Sequence, residues 1–142
     1  REQLEDFARK KVDCHFTNQD KDIWLDLLMS HCIEPLLGQQ RPCFLIDYPA
    51  SQAALARIEI DAQGNAIAKR FELYIKGIEL ANGYHELADY DQHIRRFEQD
   101  NQRRRALGLS TRAVDQPFLE AIKLGLPNCA GVALGVDRLL LL

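Results

Sequence analysis

The sequence predicts an α+β domain in which a mostly antiparallel sheet is flanked by helices. Residues 71–75 and 78–82 alternate between apolar and polar side chains, and only Lys76-Gly77 separates them, which predicts a β-hairpin. Two helical patterns follow, and a run of small, β-prone residues comes after them at 131–136. Strands joined by hairpins, then helices and one further strand, are typical of this fold class.

Capping and helix-breaking residues predict the first elements. Helices are expected over residues 3–12 and 21–33. The second has candidate N-caps in Asn18-Gln19-Asp20 and is predicted to end at Glu34-Pro35, because proline disfavours helix in the residue before it. Its apolar stripe consists of Ile23, Trp24, Leu27 and Leu28.

The remaining elements are predicted from short apolar runs and turn residues. Strands are expected at residues 43–46, closed by Asp47-Tyr48-Pro49, and near residues 55–60, before a turn at 61–65. The later elements are a helix over residues 91–107 closed by Gly108, a helix from about Asp115 with Pro117 in its first turn that ends before Gly125, and a last helical segment opened by Asp137-Arg138.

Composition excludes several classes of protein. The 142 residues are 46% hydrophobic and 27% charged, which suits one globular domain. No apolar run approaches the ~20 residues that a membrane span needs, so we expect no membrane association. A net charge of −3 disfavours general nucleic-acid binding, because phosphate contacts need surplus Lys and Arg. We interpret Arg103-Arg104-Arg105 as the solvated face of a helix.

The cysteines and the two ends of the chain add two expectations. Cys14, Cys32, Cys43 and Cys129 show no CxxC or zinc-finger spacing and lie beside apolar residues. This favours buried, reduced thiols in a cytoplasmic protein, with a disulfide pair as the alternative. The sequence lacks an initial Met and stops inside an apolar run, so we expect a fragment of a longer protein.

The hairpin predicts a pair of facing carboxylates. A two-residue turn pairs Tyr74 with Glu79 and Glu72 with Ala81, and alternation then puts Glu72, Tyr74 and Glu79 on one face. Glu72 and Glu79 become diagonal neighbours, roughly 7–8 Å apart at the backbone. Two carboxylates so placed favour a hard cation such as Mg²⁺ that bridges to nucleotide phosphates. The alternative is two glutamates on a solvent-exposed sheet face.

The segment after the hairpin favours an amine-bearing ligand. Asn82, Tyr84, Glu86 and Asp89 supply an amide, an aromatic ring and two further acids within eight residues. A carboxylate for the charge beside an aromatic wall is typical of amine recognition. Strict alternation puts Asn82 and Glu86 on the opposite face from Glu79, so a bulge near Asn82-Gly83 is predicted if all of them line one site.

The strand at residues 131–136 has small side chains at alternate positions. Gly131, Ala133 and Gly135 would allow a flat ligand to lie against the backbone, and Arg138 follows where it could reach a phosphate. The alternative is close packing of a core strand on a helix. The spacing is not that of a Rossmann or P-loop motif.

Together these segments resemble class II aminoacyl-tRNA synthetases of the lysyl type. The resemblance covers most of residues 30–142 and implies the class II synthetase-like fold, incomplete on its N-terminal side, with residues 1–142 as the C-terminal part of one catalytic domain. The glycine-rich strand resembles the third class II signature motif. The segments that carry the resemblance are Asp47-Tyr48-Pro49, Phe71-Glu72-Leu73-Tyr74, Ile78-Glu79-Leu80-Ala81-Asn82-Gly83-Tyr84, Glu86-Leu87 and the strand that ends in Asp137-Arg138.

Finer details resemble a paralogous family, the elongation factor P–(R)-β-lysine ligases. Lys76-Gly77, His85-Glu86-Leu87 and residues 97–101 (Phe-Glu-Gln-Asp-Asn) are similar to that family. Ala133 decides the preference, because lysyl synthetases usually carry glycine there and the ligase carries alanine. One methyl group in an amino-acid pocket discriminates by ~1–3 kcal/mol, which is the scale needed to separate lysine isomers.

The resemblance also implies a role for each site residue. Glu72 and Glu79 would hold Mg²⁺ and ATP, the backbone at Glu79-Leu80 would contact the nucleotide, and Gly135 would pack against the adenine. Arg138 would contact the γ-phosphate and is the candidate catalytic residue. The amino-acid site would consist of Asn82 for the carboxylate, Tyr84 and Ala133 for the pocket wall, and Glu86 for the distal ammonium.

The implied reaction is ATP-dependent activation of (R)-β-lysine and its ligation to a lysine side chain of elongation factor P. A homodimer is implied, and tRNA is not expected as a partner. The first two class II motifs, including the arginine that would bind the α-phosphate, are expected before Arg1, so this fragment alone is predicted to be inactive. The alternatives are a lysyl-tRNA synthetase core fragment and a non-catalytic regulatory or dimerisation module.

Overall fold

A five-stranded antiparallel sheet organises the chain, of which the computed structural model describes residues 2–12 and 20–142. The strands are β1 Cys43–Pro49, β2 Ile58–Ile60, β3 Ala66–Ile75, β4 Ile78–His85 and β5 Ala130–Leu134. They run in the order β1-β3-β4-β5, and β2 pairs with β3 beside this path. The α+β class is therefore confirmed.

The α-helices are α1 Glu2–Lys11, α2 Lys21–Leu28, α3 Tyr90–Ala106, α4 Gln116–Leu124 and α5 Val136–Leu140. The helices α3 and α4 lie close to their predicted bounds. Asp115 is the N-cap of α4, and its carboxylate accepts a hydrogen bond from the backbone N–H of Phe118 at 3.0 Å. Asp89, which was not predicted as a cap, is the N-cap of α3 and accepts from the N–H of Gln92 at 2.8 Å. Gly108 follows α3 with a φ of +71°, as a C′ glycine does.

The end of the second helix differs from the prediction. The α-helical part stops at Leu28, and the chain continues as a π-helical turn at Met29–Ile33 and a 3-10 turn at Glu34–Leu36. Pro35 lies inside the 3-10 turn, whose tighter geometry tolerates a missing N–H near its start. Asp20 is the N-cap residue, but its side chain makes no capping hydrogen bond. Asn18 and Gln19 lie outside the described residues.

The hairpin turn is confirmed and its register is corrected. Lys76 and Gly77 both have positive φ (+52° and +75°), and Tyr74 opposes Glu79 as predicted. Glu72, however, opposes Asn82 rather than Ala81, because the register shifts between Leu73 and Tyr74. The extra residue in β4 is Leu80, so the bulge occurs before the predicted position at Asn82-Gly83.

Two further features concern packing. Ala8, Trp24 and Leu28 form a small core between α1 and α2. Cys32, Cys43 and Cys129 are free thiols but only half-buried, so the prediction of buried thiols is wrong for these three, and Cys14 lies outside the described residues. On one side of the sheet, large apolar side chains are exposed, namely Phe44, Ile46, Val132 and Leu134.

Candidate active site

The opposite side of the sheet collects the predicted site residues. Directly opposed residues of an antiparallel pair point to the same side, so the register aligns two rows across β3, β4 and β5. The first row consists of Glu72, Asn82 and Ala133. The second row consists of Arg70, Tyr84 and Gly131. Glu79 opposes Tyr74, which lies two residues from Glu72, and therefore shares this side, which we term the site face. The Leu80 bulge is what brings Asn82 onto it.

The carboxylate of Glu72 is held by four protein donors. Its Oε2 accepts hydrogen bonds from the hydroxyls of Tyr48 (2.5 Å) and Tyr74 (2.6 Å). Its Oε1 accepts one from Arg70 Nη2 and a long one from Asn82 Nδ2 (3.5 Å). Burial, followed by the hydrogen bond to Glu72, raises the pKa of both tyrosines, so both remain neutral donors. We term these five residues the Glu72 network.

Arg70 connects this network to the predicted amine pocket. Its guanidinium lies 4.2 Å from the ring centroid of Tyr48 and 5.5 Å from that of Tyr84. Nη1 also donates to the backbone carbonyl of Gln52 at 3.0 Å. With only 13% of its side chain exposed, Arg70 is fixed by the carboxylate of Glu72 and by both rings. One residue therefore positions a predicted metal ligand and a predicted pocket wall.

Glu79 and Arg138 form a looser arrangement at the other end of the site face. Arg138 Nη1 donates to the Glu79 carbonyl at 2.7 Å and lies 3.4 Å from its carboxylate. The Arg138 side chain is 53% exposed, and its aliphatic part covers Gly135. Contact between Gly135 and an adenine would therefore require the Arg138 side chain to turn away. The Leu80 carbonyl accepts a hydrogen bond from the Gly135 N–H at 2.8 Å.

The backbone around Glu86 is fixed on both sides. The Glu86 N–H donates to the Cys129 carbonyl at 3.0 Å, and Arg57 Nε donates to the Glu86 carbonyl at 3.0 Å. His93, which is buried in α3, contacts the next carbonyl, that of Leu87, through Nε2 at 2.6 Å. Only the Glu86 side chain is left to adjust, and its carboxylate lies over Gly131 on the site face.

The other amine-site candidates occupy different environments. Asn82 turns its amide nitrogen towards Glu72, and its Oδ1 is buried without a hydrogen-bond partner in the described part of the chain. A hydrogen-bond donor on a bound ligand would satisfy that oxygen. The second hydrogen of the Asn82 amide nitrogen remains available for a carboxylate of the ligand. Ala133 is exposed beside Asn82. Asp89 does not join this group: it caps α3, and the backbone N–H of Gln92 lowers its pKa.

A comparison with known families decides which fold family this is. The family model described as tRNA synthetases class II (D, K and N) matches residues 27–142, which is most of the chain. The chain belongs to the class II tRNA synthetases. Membership of this family confirms the predicted class II fold, in which an antiparallel sheet is flanked by helices.

A curated relative confirms the finer resemblance. The chain is 51% identical over 143 residues to the elongation factor P–(R)-β-lysine ligase of Photobacterium profundum. The alignment covers 99% of the chain and 44% of that relative, so this class II synthetase chain spans less than half of the relative's length.

The two predicted metal ligands of this class II synthetase chain fit Mg²⁺ unequally. Glu79 is accessible, and among the described residues its carboxylate has only the 3.4 Å contact with Arg138 to give up. Glu72 already accepts from four donors, so a metal ion must displace one of them, and the 3.5 Å contact from Asn82 is the weakest. Within residues 2–12 and 20–142 no three His, Cys, Asp or Glu side chains group as metal ligands. One or two carboxylates suffice for Mg²⁺ when phosphates complete its shell.

Sequence reasoning missed three positioning side chains. Arg70 had a signal, because residues two apart in a strand share a face and Arg70 precedes Glu72 by two. Arg57 and His93 act through backbone carbonyls near Glu86, and their spacing in the sequence does not reveal such contacts.

Among the helices of the described residues, none is long and apolar enough to cross a membrane.

Proposed function

We propose that this chain supplies the ATP- and amino-acid-binding half of an enzyme that activates (R)-β-lysine and joins it to a lysine side chain of elongation factor P. The observation that carries the proposal is the shared site face, where Glu79 and Arg138 at one end and Glu86 at the other border the small-residue strand β5. The name of the curated relative supports the same substrates.

The proposed chemistry proceeds in two transfers. A carboxylate oxygen of the amino acid attacks the α-phosphorus of ATP, and pyrophosphate leaves with its bonding electrons. The acceptor lysine amine then attacks the acyl carbon, AMP leaves, and the amine loses a proton. Catalysis of both steps is electrostatic, because the charge develops on phosphate oxygens that fixed cations neutralise.

Each residue on the site face has one task in this scheme. Glu86 pairs with the distal ammonium, Tyr84 and Ala133 form the wall beside it, and Asn82 binds the amino-acid carboxylate. Arg138 swings from Glu79 to the γ-phosphate, which its exposure permits. The backbone of Leu80 and Gly135 borders the nucleotide. Glu72 and Glu79 hold the Mg²⁺ ion, which supplies positive charge to the phosphates when bound.

The cellular setting is part of the proposal. We place the enzyme in the cytoplasm as a homodimer, with elongation factor P rather than tRNA as the acceptor. The acidic net charge of −3 bears on the choice of acceptor alone: it disfavours tRNA, since tRNA phosphates favour basic surfaces.

ATP–pyrophosphate exchange tests the proposal on protein expressed from the complete coding sequence. We expect exchange with (R)-β-lysine to exceed exchange with α-lysine, and elongation factor P to accept the activated group. Preference for α-lysine with charging of tRNA would instead indicate a lysyl-tRNA synthetase, and no exchange with either amine would indicate a non-catalytic module. Ala133→Gly should shift preference towards α-lysine by about tenfold, because it restores the space of one methyl group.

A further inference from the structure

We infer that Gly131 sets the depth of the amine pocket, because its missing side chain leaves the space that the Glu86 carboxylate occupies. A Cβ atom built on Gly131 would lie 2.4 Å from Glu86 Oε1. The next nearest atoms are Cδ and Cγ of the same glutamate, at 3.5 and 4.0 Å. None of these three nearest atoms belongs to the backbone, so the conflict is with this one side chain.

The backbone of Glu86 cannot relieve that conflict. Hydrogen bonds to the Cys129 carbonyl and from Arg57 fix both backbone polar groups of Glu86. An alanine at position 131 would therefore move the carboxylate alone, by about 1 Å, until van der Waals contact is restored. The Cβ of a strand residue points away from the sheet, so the carboxylate is pushed outwards from β5. The pocket then becomes shallower by about the length that one methylene adds to a chain.

Gly83 on β4 and Gly135, which directly follows β5, do not share this property. A Cβ on Gly83 would meet the Phe71 ring at 2.4 Å and the Gly131 carbonyl at 3.0 Å, which disturbs the sheet itself. The three atoms nearest to a Cβ on Gly135 all belong to the Arg138 side chain, and the closest lies at 3.3 Å. Gly131 and Gly135 both avoid positive φ, so an alanine at either is free of backbone strain. Gly135→Ala is therefore a matched control at the nucleotide end.

This assignment rests on the proposed function, and kinetics on the protein from the complete coding sequence test it. The substrates are (R)-β-lysine and its homologue with one methylene fewer before the distal amine. We expect Gly131→Ala to shift the ratio of kcat/KM towards the shorter amine by about tenfold, the value of one methylene in a pocket. Gly135→Ala should leave that ratio within about twofold. An unchanged ratio in Gly131→Ala overturns the assignment.

A double-mutant cycle separates this effect from general damage. The shorter side chain of Glu86→Asp does not reach Gly131, so adding Gly131→Ala to it should change the ratio of kcat/KM for the two amines by less than about threefold. The same tenfold shift of that ratio in both backgrounds overturns the assignment. If unmodified protein activates neither amine, the proposed function fails and the amine pocket with it. A crystal structure of Gly131→Ala still decides the contact: a displaced Glu86 carboxylate supports it, and a shifted β5 backbone with the carboxylate in place refutes it.

Discussion

Glu72 and Glu79 lie on one face of one hairpin, yet their surroundings differ in almost every respect. Glu72 accepts hydrogen bonds from two tyrosines, an arginine and an asparagine, and only 13% of its side chain is exposed. Glu79 is more exposed, and its carboxylate lies 3.4 Å from the half-exposed Arg138. The first carboxylate is held in place before any ligand arrives, whereas the second is free to move. A site built this way combines a rigid end with an adjustable end.

The largest expected effect comes from removing the charge at the rigid end. Glu72→Gln replaces an acceptor oxygen with an amide NH₂ and leaves the Arg70 charge without its carboxylate. Breaking a largely buried ion pair of this kind lowers the free energy of unfolding by about 3 kcal/mol. Urea unfolding at neutral pH measures this decrease. A decrease below about 1 kcal/mol would show that the four hydrogen bonds do not restrain the carboxylate of Glu72.

Arg70→Lys should be the next largest perturbation. Lysine keeps the charge, but it lacks the planar guanidinium that donates several hydrogen bonds and stacks on the rings of Tyr48 and Tyr84. We therefore expect the free energy of unfolding to fall by about 1–2 kcal/mol. The KM for the amine should rise about tenfold, because Tyr84 loses the planar guanidinium that positions its ring. The matched control is Arg104→Lys, since Arg104 makes an exposed hydrogen bond to the Ser110 carbonyl. Similar changes in unfolding free energy and in KM for Arg70→Lys and Arg104→Lys would contradict the positioning role of Arg70.

Alkaline pH should weaken the rigid end selectively. The pKa of Tyr48 and of Tyr74 is raised in the fold, chiefly by burial and then by Glu72. The folded state therefore retains protons that the unfolded state loses above pH ~10, so stability is complete below that pH and falls as pH rises beyond it. Urea unfolding at several pH values between ~8 and ~11 measures how steeply the free energy of unfolding falls with pH. Tyr74→Phe should reduce that slope by at most about 1.4 kcal/mol per pH unit. An unchanged slope would contradict the raised pKa of Tyr74.

The smallest stability effect is expected at the adjustable end. Glu79→Gln should alter unfolding free energy by less than about 0.5 kcal/mol, because its ion pair with Arg138 is exposed and long. Its KM for ATP should nevertheless rise about tenfold. Thermal unfolding and exchange kinetics on the same preparation measure the two quantities. A stability loss matching that of Glu72→Gln would abolish the contrast between the two ends.

The sequence predicted more of the fold than of the site's internal contacts. Alternation and turn residues located the hairpin, and Asp115 located the start of α4, whereas Asp89, which caps α3, was assigned to the amine site instead. The bulge at Leu80 was misplaced because alternation shows that a slip is needed without showing where the strand takes it. The hydrogen bond from Tyr48 to Glu72 joins residues 24 positions apart, so only tertiary structure reveals it. Roles for individual site residues remain predictions drawn from the resemblance.

One measurement tests most directly whether the site face divides between amine and ATP. Pyrophosphate exchange is measured for Glu86→Gln, in protein from the complete coding sequence, with (R)-β-lysine and ATP varied in turn. Loss of the charge that pairs with the ammonium should raise the amine KM by about 100-fold and leave the ATP KM within about twofold. Equal increases in both constants would contradict the account, because Glu86 would then support the whole site rather than hold the amine.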